Sequence, residues 1–126
     1  MEIKIKYGNS APVVATDDVM ATVAFYKESL GFSETFLYGE PPVYAGLERD
    51  GVLIYATLDE PLASALKKEG LHPEIFLWVR EIDVLYAEHV KLGLNIVEEI
   101  ADRPWDARQY VIEDPNGYYL KIAEPL

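Results

Sequence analysis

The feature that most constrains the fold of this chain is an internal repeat. In each half, a stretch with apolar residues at helical spacing ends in Leu-Gly, and a turn dipeptide with glycine follows between β-type segments. The matching positions are Leu30-Gly31 and Asp50-Gly51 in the first half, and Leu92-Gly93 and Asn116-Gly117 in the second. Because both halves have the order strand, helix and three strands, the sequence predicts a duplicated βαβββ unit.

The length of the chain limits how this repeat is organised. At 126 residues it has the size of one domain, since independent halves would each be too small to bury a core. We expect a single domain over residues 1–126, with a first module at 10–58 and a second at 73–124. A linker with a short helix is expected at 59–72. Half of the residues are apolar, which is typical of a compact α+β protein.

Charge and composition restrict the partners. The 22 acidic residues outnumber the 11 basic ones, and the net charge of −11 repels a phosphate backbone, so no nucleic-acid partner is expected. No apolar run is long enough to cross a bilayer, and no signal peptide is recognisable. The 126 residues contain no cysteine, which fits a reducing compartment. We therefore expect a cytoplasmic protein without a membrane partner.

Alternation along the strands sorts the side chains onto two faces. One face of each hairpin is apolar and is expected to pack against helices; it contains Ile54 and Ala56 in the first half and Leu120 and Ile122 in the second. The opposite face is predicted to be rich in aromatic and charged residues. Its predicted members are Tyr44, Glu48, Tyr55, Glu74, Phe76, Trp78, Arg108, Tyr110, Tyr119 and Lys121. An ion pair is expected to balance the charges, formed by Glu74 with Lys121 or by Glu48 with Arg108.

Such a face indicates a concave binding surface for a small molecule, because rings supply apolar contact and a few charged groups supply orientation. Trp105, which precedes the last hairpin, is predicted either to cover the mouth of this cleft or to fill the core. The alternative is a protein interface or a second core, since Tyr and Trp are also favoured at interfaces.

Two segments of the sequence match the pattern of a known family. The first, residues 12–32, contains AFYKESLGF, and the second, residues 113–122, reads EDPNGYYLKI. Together they resemble the glyoxalase/bleomycin resistance protein/dioxygenase family, the vicinal oxygen chelate superfamily. The resemblance implies tandem βαβββ modules that form a curved mixed sheet or half-barrel. It also implies a ligand site on the concave face and a homodimer in which modules of two chains assemble each site.

The family includes both metal-dependent enzymes and metal-free drug-binding proteins. Its metal ligands lie on the first and last strands of each module, and alignment puts Ala11, Tyr55, Glu74 and Lys121 at these positions. Glu74 is the one residue of the four that can ligate a metal, whereas divalent sites need three or four N or O donors. His72 and His89 lie elsewhere and are expected to be ordinary surface or helix-flank residues. The resemblance therefore implies neither a metal nor another cofactor.

We expect a metal-free protein similar to the bleomycin resistance proteins, which sequesters an aromatic drug or metabolite and has no catalytic residue. One alternative is a metal-dependent lyase, isomerase or dioxygenase whose ligands lie at other positions. Catalysis by Glu74 as a base beside Lys121 is a further alternative, because a carboxylate among rings can have a raised pKa. A protein–protein interaction module, whose aromatic face is covered by a partner, is the alternative from a different class.

Overall fold

The chain folds as two copies of one unit, in the element order that the repeat predicts. The computed structural model describes residues 2–126. The first copy comprises β1 (Val13–Thr16), α1 (Val19–Glu28), β2 (Ser33–Tyr38), β3 (Tyr44–Arg49) and β4 (Val52–Leu58). The second comprises β5 (Glu74–Trp78), α3 (Ile82–Lys91), β6 (Ile96–Arg103), β7 (Ala107–Glu113) and β8 (Tyr119–Pro125), and α2 (Glu60–Glu69) lies between the copies.

Each copy contains a four-stranded mixed sheet. The strand orders are β1-β4-β3-β2 and β5-β8-β7-β6, so the first and last strands of each unit are neighbours and run parallel, while the other pairs are antiparallel. The α+β class and the tandem βαβββ arrangement are therefore confirmed. Neither sheet closes into a barrel.

Local signals in the sequence explain where α1 begins and ends. The Asp18 side chain caps its N-terminus by accepting a hydrogen bond from the Ala21 N–H at 3.0 Å. After the helix, Gly31 has a φ of +72°, a conformation that favours glycine over other residues. Between these points, Val23 and Tyr26 are buried on the sheet. The helix thereby covers one side of the first sheet, which we call its helix-facing side.

One hydrophobic core is shared by the two modules. It contains the predicted inward residues Ile54 and Ala56 of the first sheet together with Leu120 and Ile122 of the second. The other side of each sheet has no helix of its own module packed on it and is called the open face below. No helix in residues 2–126 is long and apolar enough to cross a bilayer.

The loop between β7 and β8 joins the modules by hydrogen bonds. Asp114 accepts one from the hydroxyl of Tyr26 on α1 at 2.8 Å, and the Asn116 amide donates to the hydroxyl of Thr22 at 2.9 Å. The Ala15 N–H, on edge strand β1, donates to the hydroxyl of Tyr118 at 3.0 Å. The EDPNGYY segment of the second module is thus bound to the first strand and helix of the first.

Residues 2–12 precede β1 and contain no helix or strand. Apolar and basic side chains alternate here, and Ile3, Ile5 and Tyr7 are more than four-fifths exposed, at 86%, 88% and 92%. Alternation of this kind is typical of a strand with one apolar face.

Candidate functional site

Three rings meet on the open face of the first sheet. Phe36 stacks on Tyr44, with 5.8 Å between ring centroids, and meets Tyr55 edge to face at 5.3 Å. Tyr55 lies opposite Gly46 in the β3–β4 ladder, and Tyr44, two residues before Gly46 on β3, shares its face, as the alternation predicts. These contacts form a compact aromatic cluster that is only partly buried.

Gly46 makes room for this cluster. It is paired with Phe36 across β2 and β3, and a Cβ added at Gly46 would overlap the Phe36 ring. Phe36 reaches this face because the pairing shifts between Glu34 and Phe36, which turns the ring to the open side. Strict alternation along β2 does not place Phe36 on the open face for this reason. Gly46, a glycine in the middle of a strand, was the sequence signal that another side chain comes close to the backbone here.

The open face of the second sheet carries both charge and rings. Lys121 Nζ lies 2.7 Å from Glu74 Oε2, so the predicted ion pair between these residues is confirmed. Phe76 and Trp78 meet edge to face at 4.9 Å, and their exposed fractions are 46% and 59%. Tyr119 lies opposite Glu74 in the parallel ladder.

His72, which was expected to be an ordinary surface residue, extends this face. Its ring stacks on Tyr119 at 4.2 Å, and its Nδ1 lies 2.8 Å from the Gly117 carbonyl oxygen. The Glu113 carboxylate is 3.7 Å from the same nitrogen. A histidine directly before a strand at one end of this face was the available signal.

Two predicted members of the site are wrong. Tyr110 and Arg108 lie on the helix-facing side, because β7 pairs with β8 so that Tyr110 is opposite Ile122 and Arg108 opposite Glu124. Tyr110 is fully buried, and Arg108 forms ion pairs with Asp83 and Asp102 at 2.9 and 3.0 Å. The predicted pair of Glu48 with Arg108 is therefore also wrong; the Glu48 carboxylate instead accepts a hydrogen bond from the Gly51 N–H at 2.7 Å.

The cause of this error is the loop before β8. The Asp114 carboxylate accepts hydrogen bonds from the N–H groups of Asn116 and Tyr118 at 2.9 and 2.8 Å, so Tyr118 leaves the ladder and Glu113 pairs with Tyr119. The predicted hairpin turns across residues 114–117, whereas the observed loop covers residues 114–118. A one-residue slip moves every side chain of a strand to the other face.

The open face of β7 therefore carries Gln109, Val111 and Glu113. Trp105 lies beside them, with its indole N–H donating to the Gln109 side-chain oxygen at 3.2 Å. Because Trp105 is 58% exposed, it does not fill the core. The hydrogen bond places it at the edge of the open face, next to the start of β7.

Comparison with known proteins decides the family. The model of the Glyoxalase/Bleomycin resistance protein/Dioxygenase superfamily matches residues 10–122. The chain belongs to this superfamily. The resemblance drawn from the two sequence segments is thereby confirmed, and no curated protein sequence matches the chain.

Solved structures of this superfamily fold share the architecture. TioX from Micromonospora sp. ML1 has a TM-score of 0.79 at 20% identity and covers 95% of this chain and 100% of its own. The bleomycin-binding protein from Streptomyces verticillus, complexed with copper(II)-bleomycin, scores 0.74 at 20% identity, with coverage of 94% and 97%. Lactoylglutathione lyase from Agrobacterium tumefaciens scores 0.74 at 15% identity and covers 96% of both chains. At these identities the likeness establishes the fold.

The residues at the metal positions implied by the superfamily do not fit a divalent metal. Tyr55 touches Phe36 and Tyr44, and Glu74 is paired with the ammonium group of Lys121, which cannot donate a lone pair. Within residues 2–126, no group of three or more acidic or histidine side chains is arranged to hold a metal ion. The residues at these positions therefore form a surface of aromatic rings and one ion pair, and not a set of metal ligands.

Proposed function

We propose that this chain is a metal-free binding protein that sequesters a flat aromatic drug or metabolite on its open faces. The observation that carries the proposal is the pairing of Lys121 with Glu74 beside the exposed rings of Phe76 and Trp78. The resemblance to the superfamily implies a metal ligand of its enzymes at each of these two positions. Exposed rings next to a salt bridge suit a flat molecule with polar substituents, because stacking supplies contact area and the ion pair supplies direction.

The proposed ligand-binding residues are those of the open faces and their edge. They are Tyr44, Glu48, Tyr55, Glu74, Phe76, Trp78, Trp105, Tyr119 and Lys121, to which Phe36 and His72 are added. A protein of the same fold binds copper(II)-bleomycin, which supports an aromatic drug as the ligand class and antibiotic resistance as the role. The acidic residues and the net charge of −11 favour neutral or cationic substituents on the ligand.

We further propose that two copies of the chain complete each site. In this arrangement residues 10–58 of one protomer lie opposite residues 73–124 of its partner, so that both sets of rings contact one ligand. Tyr38, Phe76 and Trp78, which are 69%, 46% and 59% exposed in the single chain, support this assembly. Exposed rings grouped on one face are typical of surfaces that bind a partner.

The test is isothermal titration calorimetry with metal-free bleomycin and a panel of flat aromatic antibiotics. Trp78→Ala is expected to weaken binding by about tenfold or more, since stacking on an indole ring is lost, while changing stability little. Leu62→Ala, on exposed α2, is the matched control for loss of an exposed apolar side chain. Unchanged binding by Trp78→Ala would contradict the assignment of this face.

Leu120→Ala separates binding from folding. Leu120 is fully buried in the core, so its truncation is expected to lower the free energy of unfolding by about 2–5 kcal/mol. Urea denaturation of this variant and of Trp78→Ala measures the contrast. Metal analysis of the purified protein completes the test, because stoichiometric zinc, nickel, manganese or iron would favour the metal-dependent enzyme instead.

A further inference from the structure

A cavity lies on the helix-facing side, away from the Glu74–Lys121 pair of the open face. Its volume is about 410 Å³, within the range of pockets that hold small ligands. The end of α1 and the β3–β4 turn form one wall, and the end of β5 and α3 form the other. Most of its lining is apolar and includes Phe32, Leu77, Leu85 and Ile122. Trp78 is the one residue named above for the open face that also lines this cavity.

Arg49 is fixed at the rim of the cavity by the end of α1. Its Nη1 donates a hydrogen bond to the Leu30 carbonyl oxygen at 2.6 Å, and its guanidinium group lies against Gly31. A Cβ at Gly31 would be 2.9 Å from Nη1, so the glycine admits the guanidinium group here. Since Arg49 has five N–H donors and is about half exposed, at 47%, donors remain for a ligand.

A second guanidinium group lines the same cavity. Arg80 follows β5 and forms no ion pair within 4.0 Å in the part of the chain that the structure describes. The acidic residue among the lining residues is Asp50, which is 91% exposed and lies 3.8 Å from Arg49 Nε. The lining residues therefore carry one net positive charge with His89 neutral, although the whole chain has a charge of −11.

His89 supplies a polar group to the buried end of the cavity. It is 2% exposed, and its Nδ1 is 2.8 Å from the hydroxyl of Tyr110. Burial raises the pKa of Tyr110, so the hydroxyl keeps its proton. In the tautomer in which this hydroxyl donates to Nδ1, the Nε2 of the neutral ring carries the proton and acts as a donor.

We propose that this cavity binds a small carboxylate with an apolar body, such as an aryl-substituted or short-chain acid. The carboxylate lies between Arg49 and Arg80, and the apolar body contacts the lining beneath them. Guanidinium groups match a carboxylate in geometry and charge, and such charge-assisted hydrogen bonds are about twice as strong as neutral ones. The site shares Trp78 with the open face but none of the other residues proposed there, and its ligand has the opposite charge preference.

The experiment compares 3-phenylpropanoate with its neutral analogue 3-phenylpropanamide by calorimetry or ligand-detected NMR on the full chain. The acid is expected to bind about tenfold more tightly than the amide, because the charge-assisted hydrogen bonds are lost in the amide. Arg80→Gln is expected to reduce this preference several-fold, because Arg49 alone then remains to bind the carboxylate. Arg80 is exposed, so the variant should fold normally. Lys91→Gln, at the exposed end of α3, is the matched control for removal of one positive charge.

Two more variants make the result specific to this cavity. Val52→Trp, at the exposed edge of the lining, is expected to fill the space and weaken both ligands. Lys121→Gln distinguishes the two sites, because Lys121 lies on the open face and does not line the cavity. This variant should leave the preference for the acid over the amide unchanged. The proposal is overturned if the acid fails to bind at millimolar concentration, if acid and amide bind equally, or if Lys121→Gln rather than Arg80→Gln reduces the preference.

Discussion

Three hydrogen bonds converge on the buried carboxylate of Asp114, two from N–H groups in its own loop and one from the Tyr26 hydroxyl on α1. Burial raises the pKa of Asp114, and these three donors oppose that rise. A side chain of this kind both shapes the β7–β8 loop and joins the modules, so its effect on stability should exceed that of an ordinary loop aspartate.

Asp114→Ala is expected to lower the free energy of unfolding by about 3 kcal/mol, because it leaves buried donors without acceptors. Urea denaturation followed by circular dichroism measures the change. Asp59→Ala is the control: Asp59 caps α2 with one hydrogen bond at an exposed position, and its loss should cost only about 1 kcal/mol. Equal losses of stability in the two variants would show that the hydrogen bond between Asp114 and Tyr26 of the first module adds nothing to the stability of the protein.

His89 should make stability depend on pH. Burial is the main cause that lowers the pKa of His89 from its ordinary value of 6.5. The charge of Glu88 raises this pKa by a smaller amount, and the charge of Arg49 lowers it further. The unfolded chain therefore takes up the proton at higher pH than the folded chain does, so protons favour unfolding. Stability should fall as the pH decreases from about 7 through 6.5 towards the lower folded pKa, by about 1.4 kcal/mol for each unit of the shift.

The measurement is the free energy of unfolding in urea at several pH values between about 7.5 and 5.5. The comparison is His89→Gln, whose amide can accept the Tyr110 hydrogen bond but does not titrate. This variant should show a shallower pH dependence than the parent. Parallel curves would mean that His89 is protonated equally well in both states.

At the scale of elements, strand pairing decided which predictions succeeded. The Asp50-Gly51 turn contains two residues, so alternation placed Tyr44, Glu48 and Tyr55 on the correct face. The last hairpin has a longer loop because side-chain hydrogen bonds to Asp114 replace one ladder step, and no alternation rule contains that information. Because the register differs by one residue, the prediction put Tyr110 on the wrong face of the sheet.

The pairing of β2 with β3 also gives a test of the aromatic cluster. Gly46→Ala should destabilise the protein by about 1–3 kcal/mol, because the added Cβ overlaps the Phe36 ring and must displace it. Thermal and urea denaturation report the loss. In the double variant with Phe36→Ala, the penalty of the Gly46 change should become smaller but persist, because Thr35 Oγ1 also lies 2.5 Å from the added Cβ. A penalty of the same size with and without the ring would contradict the contact.

At the scale of the whole molecule, the internal repeat correctly predicted the two tandem modules. The residues that make up the repeat explain why this prediction was possible. Helix endings at Gly31 and Gly93 and turns at Gly51 and Gly117 are local signals with local physical causes. The cavity between Arg49 and Arg80 is different, because it depends on how two modules far apart in sequence pack together. Local periodicity does not encode that packing.

Assembly is the prediction that belongs to this scale. Sedimentation velocity of the purified chain is expected to show a dimer, because the exposed rings of the open faces would otherwise remain in water. Trp78→Asp should shift the population towards monomer, since it places a charge where the two copies are proposed to meet. Val84→Asp, on the exposed side of α3, is the control. A monomer at all concentrations would contradict the proposed assembly and favour the interaction module.

The hydrogen bonds between the β7–β8 loop and the first module also bear on synthesis of the protein. Tyr26 and Asp114 are 88 positions apart, Thr22 and Asn116 are 94 apart, and Ala15 and Tyr118 are 103 apart. The ribosome adds Asp114, Asn116 and Tyr118 long after α1 has been synthesised, so the first half of the nascent chain stays without these partners until the second half follows. Truncated translation products of this chain should therefore be the species that chaperones hold and proteases remove.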